Sequence, residues 1–121
     1  MVTTLNWFEI PATDFERAKT FYAKVLDVQI HDDPNRQYAY LPADPQTGGF
    51  GGAIGIGENF VPSTTGTTIY LDGGNDLSIP LNRVESAGGK VILPKTAIGG
   101  NGFIALFIDS EGNKIGFHSM G

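Results

Sequence analysis

One order of elements occurs twice in this chain, and that repetition constrains the fold more than any other feature. Asp14-Phe15 and Asp76-Leu77 open two helical segments, and Ile30 and Ile92 end the strand segments that follow, both pairs 62 residues apart. Each half reads as strand, helix, then three strands, and a duplicated supersecondary unit is the natural reading. In the first half, Leu5 to Ile10 is short, aromatic and β-branched, and Pro11 is expected to stop it. Thr13-x-x-Glu16 then matches a capping box, with Phe15, Ala18, Phe21, Tyr22, Val25 and Leu26 at helical spacing behind it. Strands are expected at Val28 to Ile30, Gln37 to Leu41 and Gly51 to Gly57, with the Pro/Gly-rich stretch Pro42 to Gly49 before the last. In the second half, Thr67 to Leu71 reads as a strand. A short helix follows with Leu77, Leu81, Val84 and Ala87 inward, Pro80 in its first turn and Gly88-Gly89 as its stop. Strands at Lys90 to Leu93, Gly102 to Ile108 and Lys114 to His118 complete it, the last two joined by the turn Asp109 to Asn113.

Composition narrows the function classes. Glycine contributes 17 of 121 residues, roughly twice the usual share of ~7%, which suits many tight turns. The formal charge is −5 and the eight Lys and Arg are scattered, so neither nucleic acid nor an anionic membrane surface is an expected partner. No Cys is present, which excludes disulfides, zinc ribbons and thiol chemistry. The opening residues Met1 to Asn6 show no leader pattern and no apolar run approaches the ~18 residues of a membrane span, so a cytoplasmic protein is expected. The length suits one domain over residues 1–121, with modules at about 1–62 and 63–121.

Nucleotide motifs fail on spacing. The glycine-rich segment puts Ile54 and Phe60 where a dinucleotide fingerprint needs small residues, and Gly100-Asn101-Gly102 leads into a strand where an anion site needs a helix. Gly89-Lys90 lacks the rest of a P-loop, and no serine sits in a nucleophile elbow. Of the two histidines, His31 sits in a polar turn, and His118 lies on the last strand on the face of Gly116. His118 is either directed into a cavity or a half-buried imidazole bonded to a carbonyl. Glu9 alternates with Leu5 and Trp7; it is either aimed at an enclosed ligand or a structural carboxylate. Trp7, Tyr40, Tyr70 and Phe103 line an apolar pocket or belong to ordinary core, and both readings stay open.

Three segments in order carry a family resemblance: the capped helix from Asp14 with Ala18 to Leu26, then Val84 to Val91, then Asp109 to Gly116. Together they resemble the vicinal oxygen chelate superfamily, the glyoxalase I, bleomycin-resistance and extradiol-dioxygenase group, over roughly residues 5 to 118. The resemblance implies an α+β fold, two βαβββ modules forming a cupped, partly open eight-stranded mixed sheet with the helices outside. It also implies a homodimer. The family's four metal-ligand positions fall here at Trp7, near Gly52 to Ile54, at about Thr68 and at Gly116, and none is His, Glu or Gln. What remains resembles a metal-free branch with no cofactor, in which the cup binds a small organic molecule. Trp7, Tyr40, Thr68, Tyr70, Phe103 and Gly116 are its expected ligand-binding residues, with no metal. A second reading is a metal-independent isomerase or lyase with Glu9 and His118 as catalytic acid or base. A third is a metal-dependent lactoylglutathione lyase-type or dioxygenase enzyme with His31, His118 and Glu9 as substitute ligands.

Overall fold

The computed structural model describes residues 4–44 and 48–121. Met1 to Thr3, read above for a leader, and positions 45–47 of the Pro42 to Gly49 loop lie outside the described residues. The chain forms β1 (Phe8–Ala12), α1 (Phe15–Leu26), β2 (His31–Asp32), β3 (Tyr38–Pro42), β4 (Phe50–Ile56), β5 (Tyr70–Asp72), α2 (Ser78–Leu81), β6 (Lys90–Ala97), β7 (Phe103–Ile108) and β8 (Lys114–Ser119). The fold is α+β and the βαβββ unit is present twice. Four strands make each mixed sheet, in the orders β1-β4-β3-β2 and β5-β8-β7-β6. In each, the first strand runs parallel to the fourth and the remaining pairs are antiparallel.

Several boundaries differ from expectation for identifiable reasons. Pro11 does not stop β1, which continues through Ala12. As an edge strand, β1 leaves one side unpaired, and a residue without an N–H is tolerated there. The second strand forms at His31–Asp32 rather than Val28 to Ile30, because α1 ends on Asp27 in the left-handed region, whose N–H closes onto Ala23. The fifth strand covers only Tyr70–Asp72, so Thr68 precedes it. In the second helix only Ser78–Leu81 is α-helical, yet Leu77, Leu81 and Val84 are buried as their spacing requires.

Glycine in the strands is matched to rings. A Cβ at Gly52 would run into the Phe8 ring, and one at Gly55 into the Phe60 ring. The thin strand β4 therefore carries aromatic cover from other segments instead of side chains of its own.

The two modules share one hydrophobic core, in which Phe21 and Val25 of α1 join Ile10 and Ile54 from the first sheet and Phe107 and Phe117 from the second. The turn between β7 and β8 locks this packing. Glu111, its side chain fully buried, accepts the backbone N–H groups of Thr13 and Asp14 at 2.9 and 2.8 Å and the Arg17 guanidinium at 2.7 Å. Asn113 donates to the Pro11 carbonyl at 2.8 Å. The N-terminus of α1 is thus capped partly from the other module. Asp14 is the N-cap, accepting from Arg17 N–H, and Glu16 pairs with Lys19 at 2.9 Å. The capping box expected of Thr13 and Glu16 does not form; Glu111 takes the Thr13 and Asp14 N–H groups from a dry, cation-assisted position that an exposed Glu16 cannot match.

Candidate functional site

Strand register determines which expected site residues share a face. Glu9 pairs with Ala53, Ala53 with Tyr40, and Tyr40 with His31, so Glu9, Tyr40 and His31 emerge from the same side of the first sheet. Tyr38 lies two residues from Tyr40 and joins them. The opposite side carries Ile10, Ile54 and Leu41 into the core. Trp7 precedes β1 and is 39% exposed, well outside the layer beneath the helices.

On this face the rings form a continuous row. Trp7 stands edge-on to Tyr40 with centroids 6.3 Å apart, Tyr38 edge-on to Tyr40 at 5.4 Å, and Phe50 stacks on Tyr40 at 5.1 Å. His31 closes the row 5.5 Å from Phe50. A bulge at Leu41/Pro42 shifts the register so that Pro42 lies opposite Phe50, which brings Phe50 to this row.

Polar groups along the row are wired to one another. The Trp7 indole N–H donates to the Tyr38 oxygen at 3.0 Å, and the Tyr38 hydroxyl donates to Glu9 Oε2 at 2.8 Å. The Tyr40 hydroxyl donates to Asp33 Oδ2 at 2.7 Å. Burial, then the bond to Glu9, pushes the Tyr38 phenol above its ordinary pKa despite the Trp7 donor. The bond to Asp33 raises Tyr40, and the same bond, with the Asn35 N–H, lowers Asp33. Both phenols therefore stay protonated and both carry their hydrogen toward a carboxylate. The Arg36 guanidinium lies 3.9 Å above the Tyr38 ring and 3.8 Å from Asp33. Glu9 itself is exposed, so the enclosure considered for it from the sequence is not present within this chain.

The second sheet holds the other expected residues. Tyr70 pairs with Gly116, and Asp72 with His118, on one face with Leu106 and Ile104. Gly116 does not open a void there, because the Tyr70 ring occupies the space that a Cβ would need. His118 Nε2 donates to the Asn101 carbonyl at 2.6 Å, and since a carbonyl only accepts, Nε2 carries the hydrogen. This is the carbonyl-bonded imidazole, not one directed freely at a ligand. Thr68 is half-buried just before β5. Phe103 requires a correction: it pairs with Ser119 and packs toward the core on the side opposite Tyr70 and His118, with Lys95 Nζ 4.5 Å over its ring. Period-two alternation decides this, since Phe103 is one residue out of phase with Ile104, the partner of His118.

The structure thus brings Trp7, Glu9 and Tyr40 together on the first sheet and Tyr70, Gly116 and His118 on the second. A groove of about 1070 Å³ runs between the starts of β1 and β4, the end of α1 and β5, and His31, Phe50 and Tyr70 all open onto it. Its apolar lining includes Phe8, Leu26, Leu41 and Leu71. Among the described residues, no group of three or more His, Asp or Glu side chains stands together where it would hold a metal ion, so His31, His118 and Glu9 are not assembled into a ligand set. Sequence reasoning missed Tyr38, Phe50, Asp33 and Arg36. The Tyr38-x-Tyr40 alternation was a usable signal for the first; nothing local marks Phe50, whose position depends on the bulge.

Comparisons with known proteins agree with this architecture. The family described as Glyoxalase/Bleomycin resistance protein/Dioxygenase superfamily matches residues 4–117. Similar solved structures include a hypothetical protein from S. aureus, 22% identical with TM-score 0.69, covering 98% of each chain. An antibiotic binding protein from a Streptomyces species is 22% identical with TM-score 0.63, over 98% of this chain and 96% of that one. A fosfomycin resistance protein from Listeria monocytogenes is 14% identical with TM-score 0.70, over 98% and 94%. No curated protein sequence matches the chain.

Proposed function

Because the chain belongs to the glyoxalase/bleomycin resistance protein/dioxygenase superfamily, we propose that it binds a small organic molecule on the aromatic face of its first sheet and in the adjoining groove, without a resident metal. One observation carries the reading: the contiguous rings Trp7, Tyr38, Tyr40, Phe50 and His31, among which Tyr38 is buried while Trp7 is 39% and Phe50 42% exposed. Exposed rings backed by buried ones are the usual material of a small-molecule wall, combining large apolar area with few rotatable bonds. That a protein of the same fold binds an antibiotic supports the class of ligand.

The residues at the family's ligand positions do not fit a divalent ion. An indole, a Gly-Ala-Ile segment, a threonine and a glycine offer no imidazole or carboxylate donor. The metal-independent isomerase or lyase reading, with Glu9 and His118 as acid and base, gains less support. The two groups stand on different sheets, and the His118 hydrogen at Nε2 is engaged by Asn101. The binding reading includes a homodimer, since Tyr70 and Ile92 on the second sheet are 43% and 45% exposed and a second copy would cover such surface.

Titration of a panel of small aromatic and heterocyclic compounds, followed by calorimetry and by fluorescence of the single tryptophan, tests the proposal. Saturable binding without turnover is expected. Absence of binding across the panel, or binding that requires an added metal ion, would overturn it.

A further inference from the structure

Asn101 is the one asparagine of seven that precedes a glycine. The other six are followed by Trp7, Arg36, Phe60, Asp76, Arg83 and Lys114, whose side chains shield the next backbone nitrogen. Gly102 has no such shield. Asn101 ends the exposed Gly99–Asn101 turn ahead of β7, and among the described residues nothing hydrogen-bonds its side-chain amide. The Gly102 N–H donates to the Gly99 carbonyl at 3.2 Å, closing a single 3₁₀ turn at the long end of hydrogen-bond range. Asp72-Gly73 has the same spacing but is locked: the Gly73 N–H donates to the His118 carbonyl at 2.7 Å, and Asp72 Oδ1 accepts the Gly74 N–H at 2.8 Å. The Asn101 main-chain carbonyl has a different partner. It accepts His118 Nε2–H at 2.6 Å, so the peptide unit joining Asn101 to Gly102 is polarised by an imidazole that the binding reading does not use.

We propose that Asn101 is a site of spontaneous conversion to isoaspartate and that His118 promotes it. The Gly102 nitrogen gives up its proton to solvent base and attacks Asn101 Cγ; an N–Cγ bond forms, the Cγ–Nδ2 bond breaks, and the side-chain nitrogen leaves as ammonia. The hydrogen bond to the Asn101 carbonyl favours this step, because the charge of the deprotonated peptide spreads onto an oxygen that already holds a donor. Water then opens the cyclic imide. Addition at Cγ returns an aspartate, whereas addition at the main-chain carbonyl carbon breaks its bond to the Gly102 nitrogen and gives isoaspartate. His118 polarises the main-chain carbonyl, which directs water there. The oxygen it holds becomes part of a new α-carboxylate, so the bond becomes charge-assisted and the product carries one more negative charge beside His118.

Peptide mapping by mass spectrometry of the folded protein held at neutral pH tests it, with electron-transfer fragmentation to tell isoaspartate from aspartate and the urea-unfolded chain as the reference. Conversion is expected at Asn101 and not at the other six asparagines, with a larger isoaspartate share than in urea. Asn101→Gln should abolish it. His118→Phe should slow it by about three- to tenfold, the scale of one hydrogen bond to a transition state, and return the product ratio to that of the unfolded chain. His118→Gln keeps an N–H donor at similar reach and should restore part of both, which separates the hydrogen bond from a general loosening of the turn. If the folded wild-type protein stays unconverted at Asn101 while the unfolded chain reacts, the site is overturned. If His118→Phe reacts as fast as wild type or faster, keeps the wild-type product ratio, or matches His118→Gln, the role of His118 is overturned.

Discussion

Tyr22 and Asp109 meet across the two modules, the phenol donating a 2.5 Å hydrogen bond to Asp109 Oδ2 in the buried core. The other carboxylate oxygen accepts the N–H groups of Glu111 and Asn113, so one side chain holds both the helix and the turn that caps it. Burial first, and then the Asp109 charge, pushes the Tyr22 phenol well above its ordinary pKa, so it remains a donor throughout the accessible range. Tyr22→Phe should destabilise the protein by about 1–3 kcal/mol, because a buried carboxylate loses a donor that water cannot replace. Urea denaturation read by far-UV circular dichroism measures it; an unchanged midpoint would remove the bond from the list of stabilising contacts.

Glu111 predicts an acid-sensitive module junction. Burial opposes its ionisation, but the Arg17 guanidinium, the N–H groups of Asp14 and Thr13 and the Ser110 hydroxyl outweigh it, lowering the pKa from 4.5 to about 2. A carboxyl whose pKa is depressed on folding stabilises above its unfolded value and loses that contribution as pH falls through the folded one. The window is therefore between about 4.5 and 2, and the contribution at neutral pH is up to ~3 kcal/mol. Glu111→Gln should lower stability at pH 7 and flatten its dependence across that window. A variant with the wild-type acid profile would place the transition elsewhere.

The fit of Tyr70 over Gly116 is tested by a double-mutant cycle. Gly116→Ala drives a Cβ into the Tyr70 ring and also presses the Ala105 carbonyl at 3.1 Å, so a cost of about 1–3 kcal/mol is expected. In a Tyr70→Ala background most of that cost should vanish, leaving what the carbonyl contact imposes. Equal costs in the two backgrounds would show that the ring is not what limits position 116.

Metal content follows from the side chains at the ligand positions. The purified protein should contain no stoichiometric Zn, Ni, Mn or Fe, and a chelator should leave its Tm unchanged, since Trp7, Thr68 and Gly116 supply no imidazole or carboxylate. Elemental analysis finding one metal per chain would restore the metal-dependent reading.

Light scattering should give about twice the 12.9 kDa chain mass at micromolar concentration. A value near one chain would remove the dimer from the proposed function.

Much of the fold was legible from the chain alone, and the reason lies in period and punctuation. The helical spacing of Phe15, Ala18, Phe21, Tyr22 and Val25 corresponds to residues that are all buried. The strands at Lys90, Gly102 and Lys114 fell within two residues of β6, β7 and β8 at their starts. Legibility was lower where a tertiary partner sets the boundary: Pro11 stays inside β1 because that strand is an edge, and the N–H groups of Thr13 and the N-cap Asp14 are taken by Glu111, 98 and 97 residues away. For the candidate site, alternation grouped Trp7 with Glu9 and Gly116 with His118, but the same rule applied across β7 removes Phe103 from it.

What the sequence determined by itself was therefore local and periodic: two βαβββ modules, the buried stripe of α1, the glycine-rich strand and the acidic balance of the chain. These depend on spacing within a few residues, which backbone geometry converts directly into faces. The tertiary structure decided what depends on contacts between distant segments. The Asp109 to Asn113 turn became the clasp between modules because burial gives its carboxylates partners on β1 and α1. The aromatic row exists because a bulge brings Phe50 to Tyr40, and the Tyr70 ring fills the place above Gly116 that the sequence left looking empty. Such contacts follow from how the sheets are registered and packed, and not from the local spacing of the residues that make them.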